Sequence, residues 1–122
     1  MNNGSHNSKI GKVGEDLAAR FLEDSGYNII DKNFHTRYGE IDLIAQNSDE
    51  ILFVEVKTRT SVKYGYPEQA VDNKKIKHLL EAVKIYFKIN NNSKFWRLDV
   101  ISVELNNETP KINWFKDITG GY

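Results

Sequence analysis

Charged residues stand in this chain where an apolar pattern predicts none. Ile51-Leu52-Phe53-Val54 is a run of large apolar residues, and it leads directly into Glu55-Val56-Lys57. Thirteen residues before Glu55, Asp42 interrupts another β-like stretch, Glu40-Ile41-Asp42-Leu43-Ile44-Ala45. Charged side chains are rarely well buried unless they are paired or bind a metal. A carboxylate and an ammonium leaving a core strand together suggest a site at the strand's edge. The alternative is that the strand has reached the surface and Glu55 and Lys57 form a solvated pair. Carboxylate oxygens are the ligands a hard cation such as Mg²⁺ takes, and Asp42 and Glu55 fit that need if two strands bring them together.

Side chains alternate faces along a strand. Phe53, Glu55 and Lys57 therefore share one face, and Glu40, Asp42 and Ile44 share one face of the preceding strand. Asn47-Ser48-Asp49 is a short turn signal, so the two strands should pair as a hairpin. If the register matches these faces, Asp42, Glu55 and Lys57 converge near one end of the sheet.

The elements that must position them follow from periodicity. Ile10, Val13, Leu17, Phe21 and Leu22 recur at helical spacing with Ala18 on the same face, predicting a helix over 10–25 that stops at Gly26. Strands are expected over 27–34, from Tyr38-Gly39 to Ala45, and over 51–57, the last buried on both faces near its start. A loop over 58–67 contains Gly65. Pro67 could open the next helix, and Asp72 is a second candidate cap; Ile76, Leu79, Leu80, Val83 and Phe87 form its apolar stripe to about Ile89. The final strands are 95–105 and 112–115. The order αβββαββ predicts an α/β fold, a mixed central sheet of about five strands flanked by helices. Asn90–Ser93 and Asn106–Pro110 read as turns, not linkers.

Asp42 followed by Glu55-Val56-Lys57 resembles the D…(D/E)-x-K signature of the PD-(D/E)XK nuclease superfamily. A longer likeness surrounds it. Gly39-Glu40-Ile41-Asp42-Leu43-Ile44-Ala45 and Phe53-Val54-Glu55-Val56-Lys57-Thr58-Arg59 resemble the YraN-type family of small bacterial proteins. Gly14-Glu15 with Leu17 and Ala18, Gly26-Tyr27, Ala70-Val71, Lys74, Arg97 and Asp99-Val100-Ile101 fit the same pattern, so the likeness runs from about Gly11 to Val103. It implies a restriction-endonuclease-like core and a divalent-metal-dependent endonuclease acting on nucleic-acid phosphodiester bonds. Gly11 to Glu15 is a G-x-x-x-E spacing similar to the first helix of archaeal Holliday-junction resolvases. That similarity implies a further metal carboxylate at Glu15, the alternative being an exposed helix Glu. The superfamily pattern also implies a ligand role for the Val56 carbonyl.

On this reading the catalytic set is Asp42, Glu55, Lys57 and Glu15, with Asp42, Glu55 and Glu15 holding Mg²⁺ or Mn²⁺. Lys57 would stabilise negative charge in the transition state and hold Asp42 and Glu55 ionised when metal is absent. Glu40 is assigned a structural role, pairing with Arg37 or Arg97 or orienting the site. Asp99 is read as a buried, satisfied acid, not a ligand. Arg59, Lys63, Lys74, Lys75 and Lys77 are candidate phosphate contacts as a cluster, though each alone would be an ordinary solvated cation. Tyr64 and Tyr66 could stack on unpaired bases or pack locally. His6, His35 and His78 share no metal-ligand spacing.

Composition bounds these readings. The chain has 122 residues, one domain's worth, with 17 basic and 17 acidic side chains and no net charge. Any basic surface must therefore be local. The absence of cysteine excludes disulfides, thiolate metal sites and cysteine nucleophiles. Residues 1–9 are polar and read as a flexible tail, 10–118 as the domain and 119–122 as a second tail. No leader or membrane span is legible, and a cytoplasmic location is expected. Three functions compete: a Mg²⁺-dependent endonuclease selective for branched DNA, a homodimer by analogy with the resolvases; a non-catalytic nucleic-acid-binding module; and an interaction protein whose charges are only a salt-bridge network.

Overall fold

The computed structural model describes residues 3–60, 71–106 and 108–119. Elements follow in the expected order: α1 (Asn3–Asp24), β1 (Asn28–Thr36), β2 (Gly39–Gln46), β3 (Glu50–Arg59), α2 (Asn73–Ile89), β4 (Phe95–Glu104) and β5 (Lys111–Phe115). Lys63, Tyr64, Gly65, Tyr66, Pro67 and Ala70 lie outside the described residues. Among the described residues, no helix is long and apolar enough to cross a membrane.

The strands form one mixed sheet in the order β1-β2-β3-β4-β5. β1–β2, β2–β3 and β4–β5 are antiparallel, and only β3–β4 is parallel. Parallel neighbours need a crossover, and α2 supplies it. α2 covers one face of the sheet through Ile76, Leu79 and Val83 against Ile51, Phe53 and Leu98. α1 covers the other through Ala18, Ala19 and Leu22 against Leu52, Val54 and Ile101. β3 is thus buried on both faces, as its continuous apolar run predicts.

Local chemistry sets the helix ends. Gly26 has φ +98°; Tyr27 N–H donates to Leu22 C=O at 3.0 Å and Gly26 N–H to Glu23 C=O at 3.1 Å. That pair of bonds is a Schellman stop, which favours glycine at the left-handed position. At the start of α2 the choice falls on Asp72, whose carboxylate accepts Lys75 N–H at 2.9 Å.

Two boundaries are corrected. α1 begins at Asn3, inside the stretch read as a tail. β3 runs past Lys57 to Arg59, where a loop was expected. The cause is tertiary: Thr58 and Arg59 pair with Val103 and Glu104 of β4, and Leu105 N–H donates to Arg59 C=O at 2.7 Å. A pattern confined to one strand does not reveal how far its parallel neighbour extends.

Candidate metal centre

The site forms where β2 and β3 part. Their ladder pairs Gln46 with Ile51 at the hairpin and ends at Leu43↔Val54. One residue beyond, the Asp42 carboxylate takes the place of a backbone acceptor: its Oδ2 accepts Val56 N–H at 2.8 Å. The register thus carries Asp42 to Glu55 as the alternation argument required. Asp42 is 9% exposed and Glu55 4% exposed.

The alternation itself breaks here. Ile41 and Ile44 both join the core on the α2 side, although three residues apart in a regular strand they would face opposite ways. Across from them in β1, Asn33 has φ +53°, a left-handed conformation that asparagine tolerates better than most residues. The Asn33 amide then donates to Glu15 Oε1 at 3.1 Å and to Glu40 Oε2 at 3.2 Å. One irregular residue thus ties a helix carboxylate to a strand carboxylate. His35 Nε2 lies 3.2 Å from the other Glu40 oxygen.

Glu15 arrives on α1, which approaches the end of β3 closely at the buried Gly14. A Cβ there would clash with Thr58 Oγ1 and stand 2.8 Å from Thr58 Cβ. Glycine lets the helix sit against the strand and puts Glu15 over the gap. Glu15, Glu40 and Asp42 each bring a carboxylate oxygen within 4.8 Å of the others. Glu40, assigned a structural role from sequence, is therefore a member of the acid group. Its proposed partner Arg97 is engaged elsewhere.

Glu55 is held by two ammonium groups. Its Oε2 lies 3.4 Å from Lys57 Nζ and 3.5 Å from Lys75 Nζ. Lys57 also lines a cavity of about 230 Å³ with Ile10, Gly11, Glu15, Val56 and Thr58, so solvent reaches the acid group from the α1 side. Burial pushes the Asp42 carboxyl up to about 9, the negative charge of Glu55 adds to this, the Val56 N–H opposes it, and hydrogen bonds with the Glu40 and Glu55 carboxyls raise it further. This corrects the expectation that Lys57 keeps Asp42 ionised: the ammonium pairs with Glu55, and desolvation dominates at Asp42.

The donor set fits a hard divalent cation. It is all oxygen, it converges from α1 and β2, and burial favours a proton on Asp42 that a cation would displace. A soft or thiolate-seeking metal has no ligand here, since the chain lacks cysteine.

The model for the uncharacterised protein family UPF0102 matches residues 14–103. The chain belongs to this family. A UPF0102 protein of Syntrophomonas wolfei subsp. wolfei is 44% identical over 110 residues, covering 88% of this chain and 94% of the relative. One from Caldanaerobacter subterraneus subsp. tengcongensis is 46% identical over 100 residues, covering 81% and 82%. One from Persephonella marina is 43% identical over 98 residues, covering 80% and 84%. Glu15, Asn33, Glu40, Asp42, Glu55, Lys57 and Lys75 all fall inside the region matched by the UPF0102 model.

The remaining candidates of this UPF0102 chain are placed as follows. Asp99 is a satisfied acid, 0% exposed; it accepts two bonds from Arg97 at 2.9 Å each, one from Trp114 Nε1 at 2.8 Å and one from Asp117 N–H at 2.8 Å. Arg97 also reaches Glu50 Oε1 at 3.3 Å. Lys74 and Lys77 are exposed, while Lys75 and Arg59 are half-buried; Arg59 pairs in register with Glu104 at the end of the parallel ladder. Of the basic candidates described, Lys75 is brought to the acid group. Sequence reasoning missed Asn33, and missed that Lys75 meets Glu55; asparagine's tolerance of positive φ was the one available signal for the former.

Proposed function

We propose that this UPF0102 protein is a divalent-metal-dependent endonuclease of the PD-(D/E)XK type, built on a restriction-endonuclease-like core, hydrolysing phosphodiester bonds in branched DNA. The observation that carries the reading is the meeting of Glu15, Glu40 and Asp42 within 4.8 Å, beside Glu55 and Lys57, where β2 and β3 diverge. Bound Mg²⁺ or Mn²⁺ would supply a water of lowered pKa and neutralise charge on the phosphate.

The chain's own residues do the rest. Asp42, Glu55, Glu15 and Glu40 offer the oxygen ligands. Asp42 gives up its proton as the site loads, so metal affinity rises with pH. The Asn33 amide keeps the Glu15 and Glu40 carboxylates aimed at the gap. Lys57, beside Glu55 and lining the cavity, would stabilise negative charge developing at phosphorus. A compact ammonium suits that position, and a planar guanidinium does not. Arg59, Lys63, Lys74 and Lys77 would contact backbone phosphates, which confers affinity without sequence information. So small a domain has little left over to read bases in a groove. By analogy with the resolvases we assign a homodimer, and by composition a cytoplasmic location.

Asp42 also argues against a mere salt-bridge network. Among the described residues its carboxyl has no cationic partner, and it faces other carboxyls instead. The deciding experiment incubates labelled single strands, duplexes, flaps and four-way junctions with the protein in Mg²⁺, Mn²⁺ or EDTA, alongside Asp42→Asn. Metal-dependent cutting by the wild type alone supports the proposal. Tight binding to DNA without cutting on any substrate would instead favour a non-catalytic nucleic-acid-binding module.

A further inference from the structure

α2 opens with three lysines, and its cap decides which of them meets the site. Asp72 accepts Lys75 N–H and fixes the phase in which Ile76, Leu79 and Val83 face the sheet. In that phase Lys74 and Lys77 are exposed, while Lys75 is half-buried with its Nζ 3.5 Å from Glu55 Oε2. The same oxygen is 3.4 Å from Lys57 Nζ, and the Glu55 side chain is only 5% exposed. Two ammonium groups therefore share one buried carboxylate oxygen. Glu55 is correspondingly absent from the group of oxygens that lie within 4.8 Å of one another, which is Glu15, Glu40 and Asp42.

Those two lysines are not equivalent. Lys57 is on the same strand as Glu55, two residues on, and its backbone is held by the β3–β4 ladder. Lys75 comes from a helix across the gap, and its side chain is 38% exposed against 30% for Lys57. An oxygen that turns toward a cation must give up part of its hold on an ammonium, and Lys75, on a separate element and the more exposed of the two, is the partner freer to move away.

We propose that Lys75 is a positioning residue that competes with the divalent cation for Glu55 and, once displaced, binds a phosphate oxygen of the nucleic-acid strand. The inference rests on the metal-centre reading above and adds a coupling to it. Metal loading frees the ammonium that the strand then takes. By thermodynamic reciprocity, strand binding tightens metal binding by the same factor.

The test has two readouts, neither of them cleavage. The first is Mn²⁺ affinity by calorimetry without nucleic acid. The second is the gain in affinity for a fluorescent four-way junction on replacing EDTA with Ca²⁺. Lys75→Gln is compared with Lys88→Gln, which removes the same charge from an exposed position at the far end of α2. The expected result is that Lys75→Gln binds Mn²⁺ about fivefold more tightly than wild type, as fits removal of one partly solvated charge beside a divalent ion. Its Ca²⁺-dependent gain in junction affinity shrinks by a similar factor, and Lys88→Gln changes neither by more than about twofold. Mn²⁺ affinity that is unchanged or weaker in Lys75→Gln, or an undiminished gain on the junction, overturns the coupling and leaves the metal centre standing. A wild type with no Asp42-dependent Mn²⁺ binding overturns both.

Discussion

Replacing Asp42 by asparagine should stabilise the metal-free protein. The side chains are isosteric, and the asparagine carbonyl can still accept the Val56 N–H that Asp42 Oδ2 takes at 2.8 Å. Its amide can donate to the Glu40 or Glu55 carboxylate, as the protonated acid does. What asparagine lacks is the proton linkage. With its folded value raised to about 9 from an ordinary 3.8, Asp42 binds more protons in the folded than in the unfolded state throughout that interval. Its stabilisation is therefore complete below about pH 4 and lost progressively as pH rises through the folded value. Between 3.8 and pH 7 lie about three pH units, roughly 4 kcal/mol at 1.36 kcal/mol per unit. Relaxation and water entry through the cavity beside Glu15 reduce this to about 1–3 kcal/mol. Urea unfolding in EDTA from pH 5 to 8 should show Asp42→Asn more stable at pH 7, with the gap widening as pH rises. Mg²⁺ at 1,000 times its Kd should reverse the order, since it adds about 4.1 kcal/mol to the wild type alone. A variant less stable than wild type at pH 7 in EDTA, or two parallel pH profiles, would refute the account of Asp42.

Four further outcomes follow from the same geometry. Gly14→Ala sets a methyl group against Thr58, so it should cost about 1–3 kcal/mol in denaturant unfolding and weaken Mn²⁺ binding by displacing Glu15. Gly11→Ala, with nothing within 4 Å of its added Cβ, should gain up to about 1 kcal/mol from helix propensity. Lys57→Ala should lower junction cleavage by about 10²–10³-fold, the effect of losing one transition-state donor, while Mn²⁺ still binds in calorimetry. Arg97→Ala strips the two 2.9 Å bonds from the fully buried Asp99 and should cost about 3–5 kcal/mol; the metal affinity of the folded protein should stay unchanged, because Asp99 belongs to a separate network with Trp114 and Asp117.

The parts of the site legible in the sequence were those written in strand periodicity. Glu55 and Lys57 stood out because they end the apolar run of β3, and Asp42 because it interrupts β2 within a hairpin whose turn is short. Alternation puts Glu40 on the face of Asp42, but the Asn33 amide that bridges it to Glu15 comes from the neighbouring strand and leaves no trace in the pattern of β2 itself. Lys74, Lys75 and Lys77 could not be ranked from composition. Their order of approach depends on helix phase, which the Asp72 cap sets, and on the position of α2 against Phe53 and Leu98. The end of β3 was likewise set by its parallel partner. In each case the missing information was a contact between elements distant in sequence.

The early end of the β2–β3 ladder explains why such a site can form at all. Within a closed ladder, groups from α1 and α2 lie on opposite faces of a layer of backbone and cannot meet. Stopping the pairing at Leu43↔Val54 opens that layer at one end. Glu15 then reaches the gap from the α1 side, held by Asn33, and Lys75 reaches it from the α2 side, held by Glu55. The Asp42 carboxylate, by accepting the Val56 N–H, satisfies a donor that the parting strands would otherwise leave unpaired, at a cost of about 1–3 kcal/mol if it were buried. The same residue therefore closes the hydrogen-bond account of the opening and would supply a ligand of the metal centre proposed there. Asparagine at this position can do the first task and not the second, which is why stability and metal binding should move in opposite directions when Asp42 is replaced.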